Sequence, residues 1–260
     1  MNHLIRMPCR PRSANCSGPR LRVKIVSSLA VLLALAVMEL GAGFRVAAAE
    51  EGVALAIIYD TSGSMAESVP DKAGRPTPKN IIANRALVAV ARQIQTFSTN
   101  TADGNPRQIQ TALLIFKGEQ AAVALPLGPF DAAGLERWAA QAPKPDGTTP
   151  LGNALNRAGQ LLLGSPLSRK HILVITDGMN TAGPQPAAVL PNLKKQAISK
   201  DTSISVHFVA FDVAAKLFDP LKKLGVTVVG AADEKQLNAQ LEFILQNKIL
   251  LENEDPPKSK

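Results

Sequence analysis

The stretch that decides the fold runs from Val53 to Met65, VALAIIY followed by DTSGSM. Its first half, Val53–Tyr59, is an unbroken apolar run of strand length. A strand covered on both faces reads this way, whereas a half-exposed one alternates. The run stops abruptly at a polar cluster in which Asp60, Ser62 and Ser64 alternate along a tight turn. A second run of the same kind, Lys170–Thr176 (KHILVIT), stops at Asp177-Gly178. In open α/β sheets ligands bind beyond the carboxyl ends of strands, most often where the strand order reverses. Both polar clusters fall at such ends.

Working outward, residues 66–79 are rich in Pro, Gly and charge and read as a surface loop. Asn80–Phe97 has helical spacing, with Ile81, Leu87, Val90, Ala91 and Ile94 expected on one side. Gln108–Phe116 and Ala121–Leu127 read as strands joined by a short link at 117–120, hence a hairpin. A short helix over 132–141, a loop over 143–150 and a helix over 151–163 lead to the second buried strand. Beyond it come a helix at 187–200, a strand at 203–211, a helix at 216–224, a strand at 226–229 and a helix at 234–250. Strands alternating with helices after a hairpin predict an α/β fold: a doubly wound, mostly parallel sheet with one antiparallel edge strand and helices on both faces.

The net charge of +8 would suggest a polyanion partner, but the charge is concentrated at the front. Residues 1–49 hold seven basic residues and only Glu39 as an acid, leaving 22 basic against 20 acidic residues in the rest. A nearly neutral remainder removes the main support for nucleic-acid binding. The front segment has a basic stretch ending at Lys24, an apolar run from Ile25 to Met38, and Ala47-Ala48-Ala49 as small residues for cleavage. This predicts a signal peptide over 1–49, a domain over 50–250, a charged tail over 251–260, and a periplasmic or secreted location. The apolar run falls short of the roughly 20 residues of a membrane span, so a membrane association is expected only if the segment is retained as an anchor. Both cysteines, Cys9 and Cys16, lie within it, so the mature chain is expected to lack thiol chemistry.

Asp60, Ser62, Ser64 and Asp177 have the chemistry of a hard-cation site. Mg²⁺ takes six oxygens in a near-octahedral shell and keeps several waters. Hydroxyl ligands add no charge, so the ion stays electrophilic toward an acidic group from outside. With no His or Cys in the cluster, zinc and copper are disfavoured; Mg²⁺ is expected, with Mn²⁺ or Ca²⁺ possible. Gly63 is expected to allow a backbone conformation that a Cβ would resist.

Asp60-x-Ser62-x-Ser64 after an apolar strand, then Gly147-Thr148-Thr149-Pro150-Leu151, then Val174-Ile175-Thr176-Asp177-Gly178, resemble the metal-ion-dependent adhesion site of the von Willebrand factor A family. The resemblance implies a Rossmann-like six-stranded sheet and a metal held by Asp60, Ser62, Ser64, Thr149 and Asp177. It selects Thr149 over Thr148, because the family pattern sets a threonine two residues before an aliphatic position at a helix start. It also implies a protein ligand that presents an acidic side chain to the metal.

Rival readings are weaker. Asp60-Thr61-Ser62 breaks the Asp-Thr-Gly order of an aspartic protease and has no second copy. No Gly-x-Ser-x-Gly elbow or glycine-rich phosphate loop occurs. No catalytic residue is therefore expected, and the chain reads as a binding module rather than an enzyme. The alternative is a structural subunit of an envelope or channel-associated complex whose binding ignores the metal. His171 and His207 read as strand residues, Trp138 as core, Asn180 as a rim residue, Glu67, Asp71 and Asp146 as solvated loop acids, and Lys194, Lys195 and Lys200 as a solvated helix face.

Overall fold

The structure, a computed structural model, describes residues 49–100 and 107–251. The expected signal peptide and tail lie outside the described residues, apart from Ala49 and Leu251. The strands are β1 (Glu50–Tyr59), β2 (Ser68–Pro70), β3 (Pro76–Pro78), β4 (Ile109–Lys117), β5 (Gln120–Pro129), β6 (Leu167–Thr176), β7 (Ser205–Phe211) and β8 (Thr227–Ala231). The helices are α1 (Lys79–Thr99), α2 (Ala132–Ala140), α3 (Leu151–Leu162), α4 (Pro186–Ser199), the one-turn α5 (Asp219–Lys222) and α6 (Glu234–Ile244), which runs on as a π-turn over Leu245–Leu250.

Six strands form one sheet in the order β5-β4-β1-β6-β7-β8. Every neighbouring pair is parallel except β4 and β5, so β5 is the single antiparallel edge. The expected mostly parallel, doubly wound sheet is present. After β1 the chain builds toward one edge through β4 and β5, then returns to lay β6 on the other side of β1. The reversal lies between β1 and β6.

The unbroken apolar run of β1 is explained by its two cores. Val53, Leu55, Ile57 and Tyr59 pack on one face with Ile82 and Leu87 of α1, Leu135 of α2 and Leu237 of α6. Ala54, Ala56 and Ile58 face the opposite core with Leu155 and Ala158 of α3 and Leu193 of α4. None of these seven strand residues is more than 1% exposed. Tyr59 ends the strand with its hydroxyl donating to Asn84 Oδ1 at 2.6 Å and Trp138 set edge-on to its ring at 5.2 Å, so Trp138 packs against the core as expected.

Three readings are corrected. The buried stripe of α1 uses Ile82, not Ile81, which is 44% exposed. Ile81 precedes Val90 by nine residues, half a turn out of phase at 100° per residue. The segment 66–79 is more than a surface loop: β2 and β3 pair antiparallel, and the turn between them is tied by Asp71. The Asp71 carboxylate is buried, accepts from the Ala73 and Arg75 amides, and pairs with the Arg75 guanidinium at 2.9 Å. Lys194 is half-buried rather than solvated, its ammonium donating to the Leu224 carbonyl.

His171 and His207 lie on adjacent parallel strands, 1% and 4% exposed, with Nδ1 of the first 3.3 Å from Nε2 of the second. Their rings stack at 5.6 Å. Burial depresses them to about 3 and about 4, aided at His171 by His207 and Arg169 and at His207 by Lys248.

Candidate metal centre

The site sits where strand order reverses, at the carboxyl ends of β1 and β6. Asp60 follows β1 directly, and its amide donates to the Ile175 carbonyl of β6 at 3.0 Å. Its carboxylate is fully buried: Oδ1 accepts from the Ser62 amide at 2.8 Å and Oδ2 from Thr176 Oγ1 at 2.5 Å. Burial raises the carboxyl to about 6 against the pull of these hydrogen bonds, and the charge of Asp177 adds to the rise. Asp60 has no ammonium or guanidinium partner among the described residues.

The turn after Asp60 is anchored on both sides of Ser62 and Ser64. Thr61 Oγ1 donates to the Phe116 carbonyl of β4 at 2.9 Å and accepts from the Phe116 amide at 3.1 Å, so this side chain continues the sheet. Met65, on the 3₁₀ turn Gly63–Ala66, is fully buried in the α1 core. Between these anchors the Ser62 and Ser64 hydroxyls lie 3.2 Å apart, and Ser64 Oγ donates to Asp177 Oδ1 at 2.8 Å.

Gly63 does not have the role expected of it. Its φ is not positive, and a Cβ there would meet nothing closer than the Gly147 carbonyl at 3.7 Å. The left-handed residue is Gly147, at φ +77°, in the loop that docks on this turn. That loop is held by Asp146 N to Thr61 O at 2.9 Å and Gly63 N to Gly147 O at 3.2 Å.

Thr149 is buried and fixed by its backbone: its amide donates to Thr181 Oγ1 at 2.8 Å, and the Thr181 amide donates to its carbonyl at 3.0 Å. Thr149 Oγ1 and Ser64 Oγ flank one point, 3.7 and 3.9 Å from where a Cβ on Gly178 would stand. Thr148 Oγ1 instead donates to the Gly118 carbonyl at 2.8 Å. Asn180, expected on the rim, bridges elements: its Oδ1 accepts from the Gly152 amide at the start of α3 at 3.2 Å. There α3 approaches the 178–185 loop so closely that a Cβ on Gly152 would stand 1.9 Å from the Pro184 carbonyl oxygen.

The sequence reading missed Lys79. Its ammonium, 3% exposed, sits 2.8 Å from Asp177 Oδ2, 2.8 Å from Glu67 Oε2 and 3.2 Å from Asp212 Oδ2. Burial pulls its pKa down, but hydrogen bonds to Asp177 and Glu67 outweigh this and raise it overall. Lys79 in turn holds the Glu67 carboxyl below its usual range. Nothing local in the sequence marks Lys79, but Asp212 was findable: it follows β7 as Asp60 follows β1 and Asp177 follows β6. Asp212 has φ +53°, a left-handed conformation that aspartate tolerates better than most residues.

The residues present fit a hard cation. Two carboxylates and three hydroxyls gather at one sheet edge, and the buried Asp60 carboxylate is stabilised there by neutral donors alone. Among the described residues no group of three or more His, Cys, Asp and Glu side chains is placed to hold a metal. A cation at this edge therefore depends on the hydroxyls.

Residues 55–180 match the sequence model of the von Willebrand factor type A domain. No curated protein matches the chain in sequence. Among solved structures, the PilB minor pilin from Streptococcus sanguinis superposes with a TM-score of 0.55 at 16% identity, over 75% of this chain and 60% of that one. The vWF domain of the type V pili tip protein Mfa5 from Porphyromonas gingivalis gives 0.53 at 14%, over 75% and 94%. Proximal thread matrix protein 1 from the mussel byssus, with a zinc-occupied MIDAS motif, gives 0.53 at 15%, over 76% and 48%. The chain thus spans less than two thirds of the pilin and of the thread protein, and at these identities the likeness is one of fold.

Proposed function

The chain belongs to the von Willebrand factor type A domain family, whose domains are protein-interaction modules, and on that premise we propose that it captures a partner protein through a divalent cation, Mg²⁺ in the first instance. Asp60, Ser62, Ser64, Thr149 and Asp177 would hold the ion. Bound there, the ion would offer a coordination position to a carboxylate oxygen of the partner. Asp60 and Asp177 supply the charge that attracts the cation, and the three hydroxyls supply oxygens without neutralising it further. Thr176 and the Ser62 amide orient Asp60, and Thr181 fixes the Thr149 backbone. We read the site as a binding one rather than a catalytic one.

The observation that carries this reading is the buried Asp60 carboxylate, with no cationic side chain against it among the described residues, at the point where the hydroxyls gather. Among the described residues no helix is long and apolar enough to cross a membrane; the periplasmic or secreted location rests on the front segment of the sequence. The Lys79 ion pairs favour one rival, a structural subunit of an envelope complex, because they already give Asp177 a cation. A pull-down from envelope extract with and without EDTA separates the two. Metal-dependent capture predicts a partner lost on EDTA treatment and lost again with Asp60→Ala, while the variant stays folded by circular dichroism. A partner retained in both conditions would refute it in favour of the structural role.

A further inference from the structure

We propose that Lys79 is a resident cation of this site that shares Asp177 with the divalent ion, so that the domain holds Mg²⁺ loosely until an anionic ligand joins it. The inference rests on the metal-binding reading above. Asp177 divides its two oxygens: Oδ1 accepts from Ser64 and faces the hydroxyl cluster, while Oδ2 faces the Lys79 ammonium. The Asp177 side chain is fully buried and that of Lys79 is 3% exposed, so this pair is screened little by solvent.

The lysine is held on purpose-built geometry rather than reaching past the site. Lys79 is the first residue of α1, at the positive end of the helix dipole, where an ammonium is disfavoured. Acidic neighbours offset that placement. Its amide donates to the Glu67 carbonyl at 2.8 Å while its ammonium binds the Glu67 carboxylate, so main chain and side chain are tied to one residue. Asp212, from the end of β7, supplies the third oxygen.

The charge count then decides the behaviour. Asp60 and Asp177 together match a divalent ion, but Lys79 already draws on Asp177. The acids that offset Lys79, Glu67 and Asp212, are 69% and 41% exposed, where water weakens their reach into the buried site. The metal is left short of negative charge, and an incoming carboxylate makes up the shortfall. The same ammonium keeps Asp177 paired when no metal is bound.

The test is calorimetric titration of the intact protein with Mg²⁺ alone, comparing wild type, Lys79→Met, Lys79→Gln and Asp60→Ala. Removing the lysine charge should tighten Mg²⁺ binding by about tenfold or more, since a single charge beside a double one at neighbouring range keeps an effect of that size even at the dielectric constant of water. Binding seen only in the Lys79 variants supports the proposal equally. If wild type binds Mg²⁺, Asp60→Ala does not, and the Lys79 variants bind no tighter, the proposal is overturned while the metal site stands. If neither wild type nor the Lys79 variants bind, both fall. Should the Lys79 variants fail to fold, the double variant Glu67→Gln/Asp212→Asn leaves the ammonium opposed by Asp177 alone and should weaken Mg²⁺ binding several-fold; unchanged or tighter binding there overturns the proposal.

Discussion

Acidification from pH 7 to pH 5 should destabilise this domain through the His171–His207 pair. In the unfolded chain each imidazole takes up a proton near its ordinary value of 6.5, whereas the folded state holds them to about 3 and about 4. Between those limits the unfolded state binds more protons. The stability the neutral pair contributes is therefore full above pH 6.5 and drains away as pH falls toward 4 and 3. Integrated from pH 7 to pH 5, each histidine loses roughly 1.8 kcal/mol, and the two together about 3–4 kcal/mol, a large share of an ordinary domain's stability. Asp60 acts the other way. Its carboxyl, raised to about 6, takes up a proton in the folded state over the same range and returns about 1 kcal/mol in metal-free protein. Urea unfolding at both pH values in EDTA, on wild type and His171→Leu/His207→Leu, separates the two effects because Asp60 is common to both proteins. Wild type should lose about 3–4 kcal/mol more than the variant. Equal losses in the two proteins would refute the reasoning.

Two further outcomes follow from close approaches at the site. Gly152→Ala forces a Cβ onto a backbone oxygen and should destabilise by about 2–3 kcal/mol, read as a lowered urea midpoint, while Gly63→Ala, with nothing within 3.7 Å, should cost less than about 1 kcal/mol. Thr149→Val should weaken Mg²⁺ binding about tenfold by removing one oxygen, and Thr148→Val, whose hydroxyl is engaged with Gly118, should leave it unchanged; the opposite pattern in a titration would transfer the role to Thr148.

The sheet was legible because its central strands are buried on both faces, and the apolar runs at Val53–Tyr59 and Lys170–Thr176 follow from that burial alone. The antiparallel edge was legible from a link too short for any crossover. What local pattern could not show was the partnership of residues far apart in sequence. Lys79 and Asp177 are 98 positions apart, and a lysine after Pro78 resembles any solvated helix start until the fold brings three acids to it. Asp71 was misjudged for a related reason: a polar, proline-rich segment looks solvated, yet its carboxylate is buried by satisfying the amides of its own turn. Ile81 and Ile82 are adjacent and chemically identical, so only the phase set by the rest of α1 separates them.

The hydrogen bonds at Glu50 and Leu250 have a practical consequence. Glu50 enters β1 through a bond to the Pro166 carbonyl, and the Leu250 carbonyl accepts from Arg169 at the start of β6. Both ends therefore leave from the amino edge of the central strands, while Asp60 stands just past the other end of β1, ten residues or about 33 Å away. A domain suspended from residue 50 or 251 hangs with the rim that carries Asp60 outermost. An affinity tag, a surface coupling or a tether joined at residue 50 or 251 leaves that rim clear for a partner approaching from the far side.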